Sequence, residues 1–75
     1  MMNWYKYVVT WYHEIDDKEI TSYGITCGKS YAEAMEHIEK EFDDTLVSVN
    51  GIELISDNCP CYDLDEEQYN NLETY

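Results

Sequence analysis

Cys59-Pro60-Cys61 is the closest pair of thiols in the chain, and its spacing suits neither a metal site nor a redox pair. A zinc knuckle or a thioredoxin-type pair places two residues between its thiols, and no second cysteine pair completes a site, so a turn with two incidental thiols is expected. His13 and His37 could act as bases or ligands, but no serine or cysteine nucleophile lies at a recognisable spacing from either. Both read as surface histidines, with His37 one helical turn after Glu33. Asp16 with Asp17, and Asp43 with Asp44, are adjacent pairs of the kind found in turns and at helix ends, whereas hydrolytic pairs come from separate elements around a pocket. Asp63 to Glu67 lacks the glycine and the terminal glutamate of a calcium loop. Gly24, Gly28 and Gly51 form no phosphate-cradling pattern. These residues assign no catalytic group, no metal and no cofactor, and the expectation is a protein that is not an enzyme.

The carboxylates are better organised as a surface than as a centre. Thirteen of the seventeen lie beyond Lys29, where Lys40 is the only cation opposing them, in a chain of net charge −13. Glu33, Glu36, Glu39, Asp43 and Asp44 recur at intervals of about one helical turn, so neighbours in the row stand roughly 5 to 6 Å apart. Duplex DNA carries one phosphate per about 3.4 Å of axis on each strand, so a curved row of this kind offers a comparable charge density to a basic groove. The plainer alternative is a solvated helix face partly neutralised by Glu36 with Lys40. Asp63, Asp65, Glu66 and Glu67 supply a second acidic group near the C-terminus. The cations are Lys6, Lys18, Lys29 and Lys40, with no arginine, so direct binding of nucleic acid is not expected.

These side chains need a scaffold, and the periodicity supplies one. Trp4 to His13 alternates, with Tyr5, Tyr7, Val9 and Trp11 on one face and Trp4, Lys6, Val8, Thr10 and Tyr12 on the other, in residue types that favour strands. A polar turn at Asp16, Asp17 and Lys18 leads into Glu19 to Cys27, which alternates again and completes a hairpin. Ser30-Tyr31-Ala32-Glu33 matches a capping box, and a helix follows from about Tyr31 to Phe42. Its apolar stripe is Tyr31, Ala34, Met35, Ile38 and Phe42, with Trp11 and Phe42 meeting where strand and helix pack. Between Thr45 and Ser56 strand character returns around Asn50-Gly51. That pair signals a second hairpin, with Val47 facing Leu54, or else one bulged strand from Leu46 to Ile55.

Asp57 to Tyr75 changes character. Asn58 to Cys61 is a turn, and Asp63-Leu64-Asp65-Glu66 is a second candidate capping box, opening a short helix or a tail. The fold class is therefore α+β: a small antiparallel sheet of three or four strands in the order β-β-α-β-β, one helix packed on one face, and an acidic C-terminal helix or tail. Residues 1–57 form the domain and 58–75 the acidic segment. A chain of this length buries only about 60 to 65% of its unfolded surface. One helix covers one side of such a sheet, so Trp4, Val8 and Tyr12 on the other must be covered by Tyr62, Tyr69 and Leu72, by a second copy, or by a partner. No stretch is long enough to span a membrane, the start Met1 to Trp4 has no signal-peptide regions, and three cysteines form no disulfide framework, so a cytoplasmic protein is expected.

In length, in the acidic stretch Ser30 to Asp44 and in the acidic stretch Asp57 to Glu73, the chain resembles the small accessory proteins of phages and plasmids. Among these are anti-CRISPR, anti-restriction and DNA-glycosylase inhibitor proteins that act as nucleic-acid mimics. The resemblance is one of class and rests on no family signature. It implies a non-enzymatic inhibitor in the host cytosol that blocks a basic nucleic-acid-binding host protein through Glu33, Glu36, Glu39, Asp43, Asp44, Asp63, Asp65, Glu66 and Glu67. The alternative is a protein-interaction module or homodimer using Trp4, Val8 and Tyr12, with the charge serving solubility.

Overall fold

The computed structural model describes residues 2–56, 63–72 and 74, with Asp63 described by its backbone alone. Cys59, Pro60, Cys61 and Tyr62 lie outside the described residues, and with them the expected turn and part of the expected cover. Strand β1 (Asn3–His13) pairs antiparallel with β2 (Lys18–Gly28) along its whole length. Helix α1 (Tyr31–Phe42) follows, then a 3-10 turn (Asp43–Thr45) and strand β3 (Leu46–Ile55), which pairs antiparallel with the other side of β1. A two-residue strand β4 (Asp63–Leu64) adds to β2, and a short helix α2 (Glu66–Asn71) comes after it. The sheet order is β3-β1-β2-β4, so the fold is a small α+β one, with three long antiparallel strands and a helix packed on them.

The alternation in β1 separates two faces. Tyr7 and Val9 face α1, where they form the core with Ile38, and Trp11, Phe42, Leu46, Val49 and Ile52 close around it. Val9, Ala34 and Ile38 are fully buried. Each aliphatic side chain of valine or isoleucine size buried in this way contributes about 1.5 to 3 kcal/mol. Trp11 and Phe42 do meet, with ring centroids 6.0 Å apart, but both are half-buried and stand at the margin of the core. Tyr7 lies across the neighbouring strand at Gly24, where a Cβ would overlap the tyrosine hydroxyl. Glycine is required there for that close approach.

The segment around Asn50-Gly51 is one strand, and the expected hairpin is not formed. No glycine has a positive φ, so Gly51 does not adopt the conformation of a type I′ turn. Val8 pairs with Gly51 and Val9 with Val49, which leaves Asn50 as an extra residue in a β-bulge; a second shift between Thr10 and Trp11 leaves Val47 unpaired in the same way. The Asn50 side chain fastens its bulge by donating to Thr10 Oγ1 at 2.7 Å and accepting from Ser48 Oγ at 2.7 Å. Gly51 serves a close approach, since a Cβ there would stand 3.2 Å from a Val8 methyl and 3.5 Å from the Tyr69 hydroxyl.

Candidate partner-binding surface

Ser30 starts α1 by accepting the Glu33 amide at 3.3 Å, and only this half of the expected capping box is formed. The helix holds the sheet through Ala34, Ile38 and Phe42, and Tyr31 stacks on Tyr5 at 4.8 Å while remaining half exposed. His37 lies on the flank of this stripe. Its Nδ1 is 2.6 Å from the Cys27 carbonyl, which can only accept, so the imidazole donates and ties the helix to β2. The histidine read as a surface partner of Glu33 is thus a structural clamp. Sequence spacing gives no sign of it, because the acceptor is a backbone atom of another element.

With the stripe facing the sheet, Glu36 and Glu39 are exposed and Glu33 is half-buried. The row continues past the helix into Asp43 and Asp44, both exposed in the 3-10 turn, where Thr45 Oγ1 donates back to the Phe42 carbonyl. From Glu33 to Asp43 it spans roughly 15 Å along the axis. The expected Glu36 with Lys40 pair is absent. Among the described residues Lys6 pairs with Glu53 at 3.6 Å, and the Asp16 carboxylate stands 3.4 Å from His13 Nδ1, the nitrogen that accepts the Asp16 amide. Asp43 caps the helix at φ 48° and ψ −128°, a conformation ordinarily left to glycine, with its amide donating to the Glu39 carbonyl.

The second acidic group stands elsewhere. The capping box of α2 is at Asp65 and Gln68, two residues later than the sequence suggests: Asp65 Oδ1 accepts the Gln68 amide at 2.7 Å and Gln68 Oε1 accepts the Asp65 amide at 3.1 Å. Glutamine closes this box as well as glutamate does. Asp65, Glu66 and Glu67 are exposed at its start, and Asp63 enters through its backbone pairing with Gly24. This helix docks on the face of the sheet opposite α1. Tyr69 stacks on Tyr23 with centroids 5.1 Å apart, and its ring lies under the Lys6 ammonium at 4.3 Å. The structure therefore gathers Glu33, Glu36, Glu39, Asp43 and Asp44 on one side of the sheet and Asp65, Glu66 and Glu67 on the other.

Lys6 is the pivot of that second face. It is 6% exposed, donates to the Tyr69 carbonyl at 3.0 Å and pairs with Glu53. That carbonyl belongs to the last turn of α2 and also accepts the Leu72 amide at 3.4 Å, and the carbonyl end of a helix favours a cation. Burial, the Glu53 carboxylate and Tyr23 together push the Tyr69 phenol above its ordinary value, burial being the largest cause. Trp4 and Val8 are half-buried beside this contact, and Tyr12 is exposed at the far end of the strand. Alternation places Lys6 on this face, but nothing local marks it as buried.

Among the described residues no group of three or more His, Cys, Asp or Glu side chains is arranged to hold a metal ion, and no helix is long and apolar enough to cross a membrane. Cys27 is a free, half-buried thiol. The hairpin turn holds a further feature that sequence reading passes over: Ile15 is 90% exposed among Glu14, Asp16 and Asp17. Its signal is a β-branched apolar residue where turn formers are usual. No family model, curated protein or solved structure matches this chain.

Proposed function

We propose that the protein is a non-enzymatic inhibitor that occupies the basic nucleic-acid site of another protein, with α1 and its 3-10 extension standing in for a row of phosphates. One observation carries the reading: Glu36 and Glu39 are exposed on a helix whose other side is fixed to the sheet, and Asp43 and Asp44 are exposed in the 3-10 turn that follows it. A row held on a fixed backbone, with Lys40 as the one cation on the helix, gains from every lysine or arginine it meets. The role this suggests is counter-defence for a phage or plasmid. Asp65, Glu66 and Glu67 are left out of the primary contact, because a single groove facing α1 cannot reach the opposite face of the sheet. The outer face is the weaker site for a partner, since Tyr69 already occupies its middle.

The test takes a partner captured at low salt and a competition assay with labelled nucleic acid. Replacing Glu36 and Glu39 with glutamine, and Asp43 and Asp44 with asparagine, removes four charges at constant size. Affinity should fall about tenfold or more and should weaken steeply as salt rises, with circular dichroism unchanged. Undiminished binding moves the site off α1. A ternary complex that still holds nucleic acid in the partner's groove rejects mimicry.

A further inference from the structure

Among the described residues the exposed large apolar side chains divide between the two ends of the sheet: Tyr12, Ile15 and Val47 toward the β1–β2 turn, Met2 and Tyr31 at the other end. The register explains the first group. Leu46 pairs with Trp11, so β3 stops there, while β1 and β2 run on through Tyr12 with Glu19 and His13 with Lys18. Ile15 tops this extension. Val47 is the bulged residue beside Trp11, turned out by the register shift. The turn is fastened by the Asp16 amide, which donates to His13 Nδ1 at 3.2 Å, and by Trp11 Nε1, which donates to Ser22 Oγ at 2.8 Å just below it. The apex is thus an ordered projection.

Carboxylates frame it. Glu14, Asp16, Asp17 and Glu19 surround Ile15 with Lys18 as the only cation of the turn, and α1 delivers Asp43 and Asp44 to the same end as the chain enters β3. Exposed apolar residues scattered singly need no explanation, but Ile15, the most exposed of them, inside an acidic rim and with Tyr12 and Val47 exposed on the strands below it, has the anatomy of an interface, apolar at the centre and charged at the edge. The charge selects the occupant. A second copy would bring acid against acid, and nucleic acid or an anionic membrane would be repelled.

We infer that the hairpin end is a docking surface for a protein that presents an apolar depression edged with lysine or arginine. The inference rests on the reading that the acidic surface meets a basic protein, and it adds an apolar anchor, Ile15, to what is otherwise a purely electrostatic contact.

Two peptides of equal charge serve as probes of the isotope-labelled full chain: decalysine, and an amphipathic lysine-leucine helix with ten lysines. The amphipathic peptide should move amide resonances of residues 12–19 and 43–47, and Ile15→Ser should weaken it at least fivefold while changing decalysine binding less than twofold. A side chain this exposed can be replaced without loss of the fold, which circular dichroism verifies. Equal affinity of the wild-type chain and Ile15→Ser for the amphipathic peptide overturns the inference, as do shifts confined to Glu36 and Glu39, which leave the α1 reading standing. Failure of both peptides to bind at low salt removes the acidic-surface reading as well.

Discussion

The two acidic helices sit on opposite faces of one sheet and are held there by different physics. Helix α1 buries Ala34 and Ile38 completely, Ile38 against Tyr7 and Val9, so its attachment is the core of the domain. Helix α2 has half the length and no buried residue, and it is held by one tyrosine ring and by a lysine that reaches its last-turn carbonyl. A hydrogen bond from a charged donor is worth about 1.5 to 3 kcal/mol when its partner is lost, but burying the ammonium offsets part of that gain. Hydrocarbon packing makes α1 inseparable from folding, whereas the polar tether makes α2 a local and releasable addition.

The sharpest break in this contrast is Ile38→Ala. It should cost about 2 to 5 kcal/mol and leave a domain of this size largely unfolded, as read by denaturant titration. Lys6→Met should cost about 1 to 2 kcal/mol, felt mainly in α2. Hydrogen exchange should then show residues 66–71 losing protection while β1 keeps it. If the whole sheet loses protection together, the two helices belong to one cooperative unit and the contrast is false.

Asp43→Gly relieves a backbone conformation that suits glycine and should stabilise the protein by about 1 kcal/mol, raising the melting temperature by roughly 4 to 8 °C. An unchanged or lower melting temperature would mean that the Asp43 side chain contributes more to the helix end than the strain costs. The smallest effect is expected from Tyr69. Its phenol is raised in the folded state, so the neutral form is favoured when α2 is docked. The resulting stabilisation is fully present below the ordinary phenol value of about 10 and is lost as pH rises through the folded value. Absorbance titration of the wild-type chain and of Tyr69→Phe should show that the phenol lost in the variant is one that ionises above the ordinary range.

The parts of the fold that local chemistry decides are legible in the sequence. The alternation of β1 and β2 and the serine cap of α1 give those elements nearly residue for residue. Asn50-Gly51 is ambiguous because its outcome depends on Thr10 and Val8 in another strand, which anchor the bulge and require the glycine. The acidic row on α1 is likewise legible, since helical spacing alone brings Glu36 and Glu39 onto one side. That the second acidic group faces the other way follows from where Tyr69 lands, between Lys6 and Tyr23, and no periodicity within residues 63–75 encodes that.

The two bulges in β3 have a consequence for how copies of this chain meet one another. β3 is the outermost long strand, and apart from a single bridge from Ile55 to Thr74 its far side has no partner among the described residues. A foreign strand laid along it would meet an uneven ladder, thrown out of step at Val47 and again at Asn50, and could not zip up beyond a few residues. Both surplus residues can be deleted without moving any side chain to the other face, because the pairs on either side of each are already in step. What deletion would remove is the safeguard. The shortened strand would offer a straight, continuous edge, and like-charge repulsion would be the remaining obstacle to its pairing with another copy.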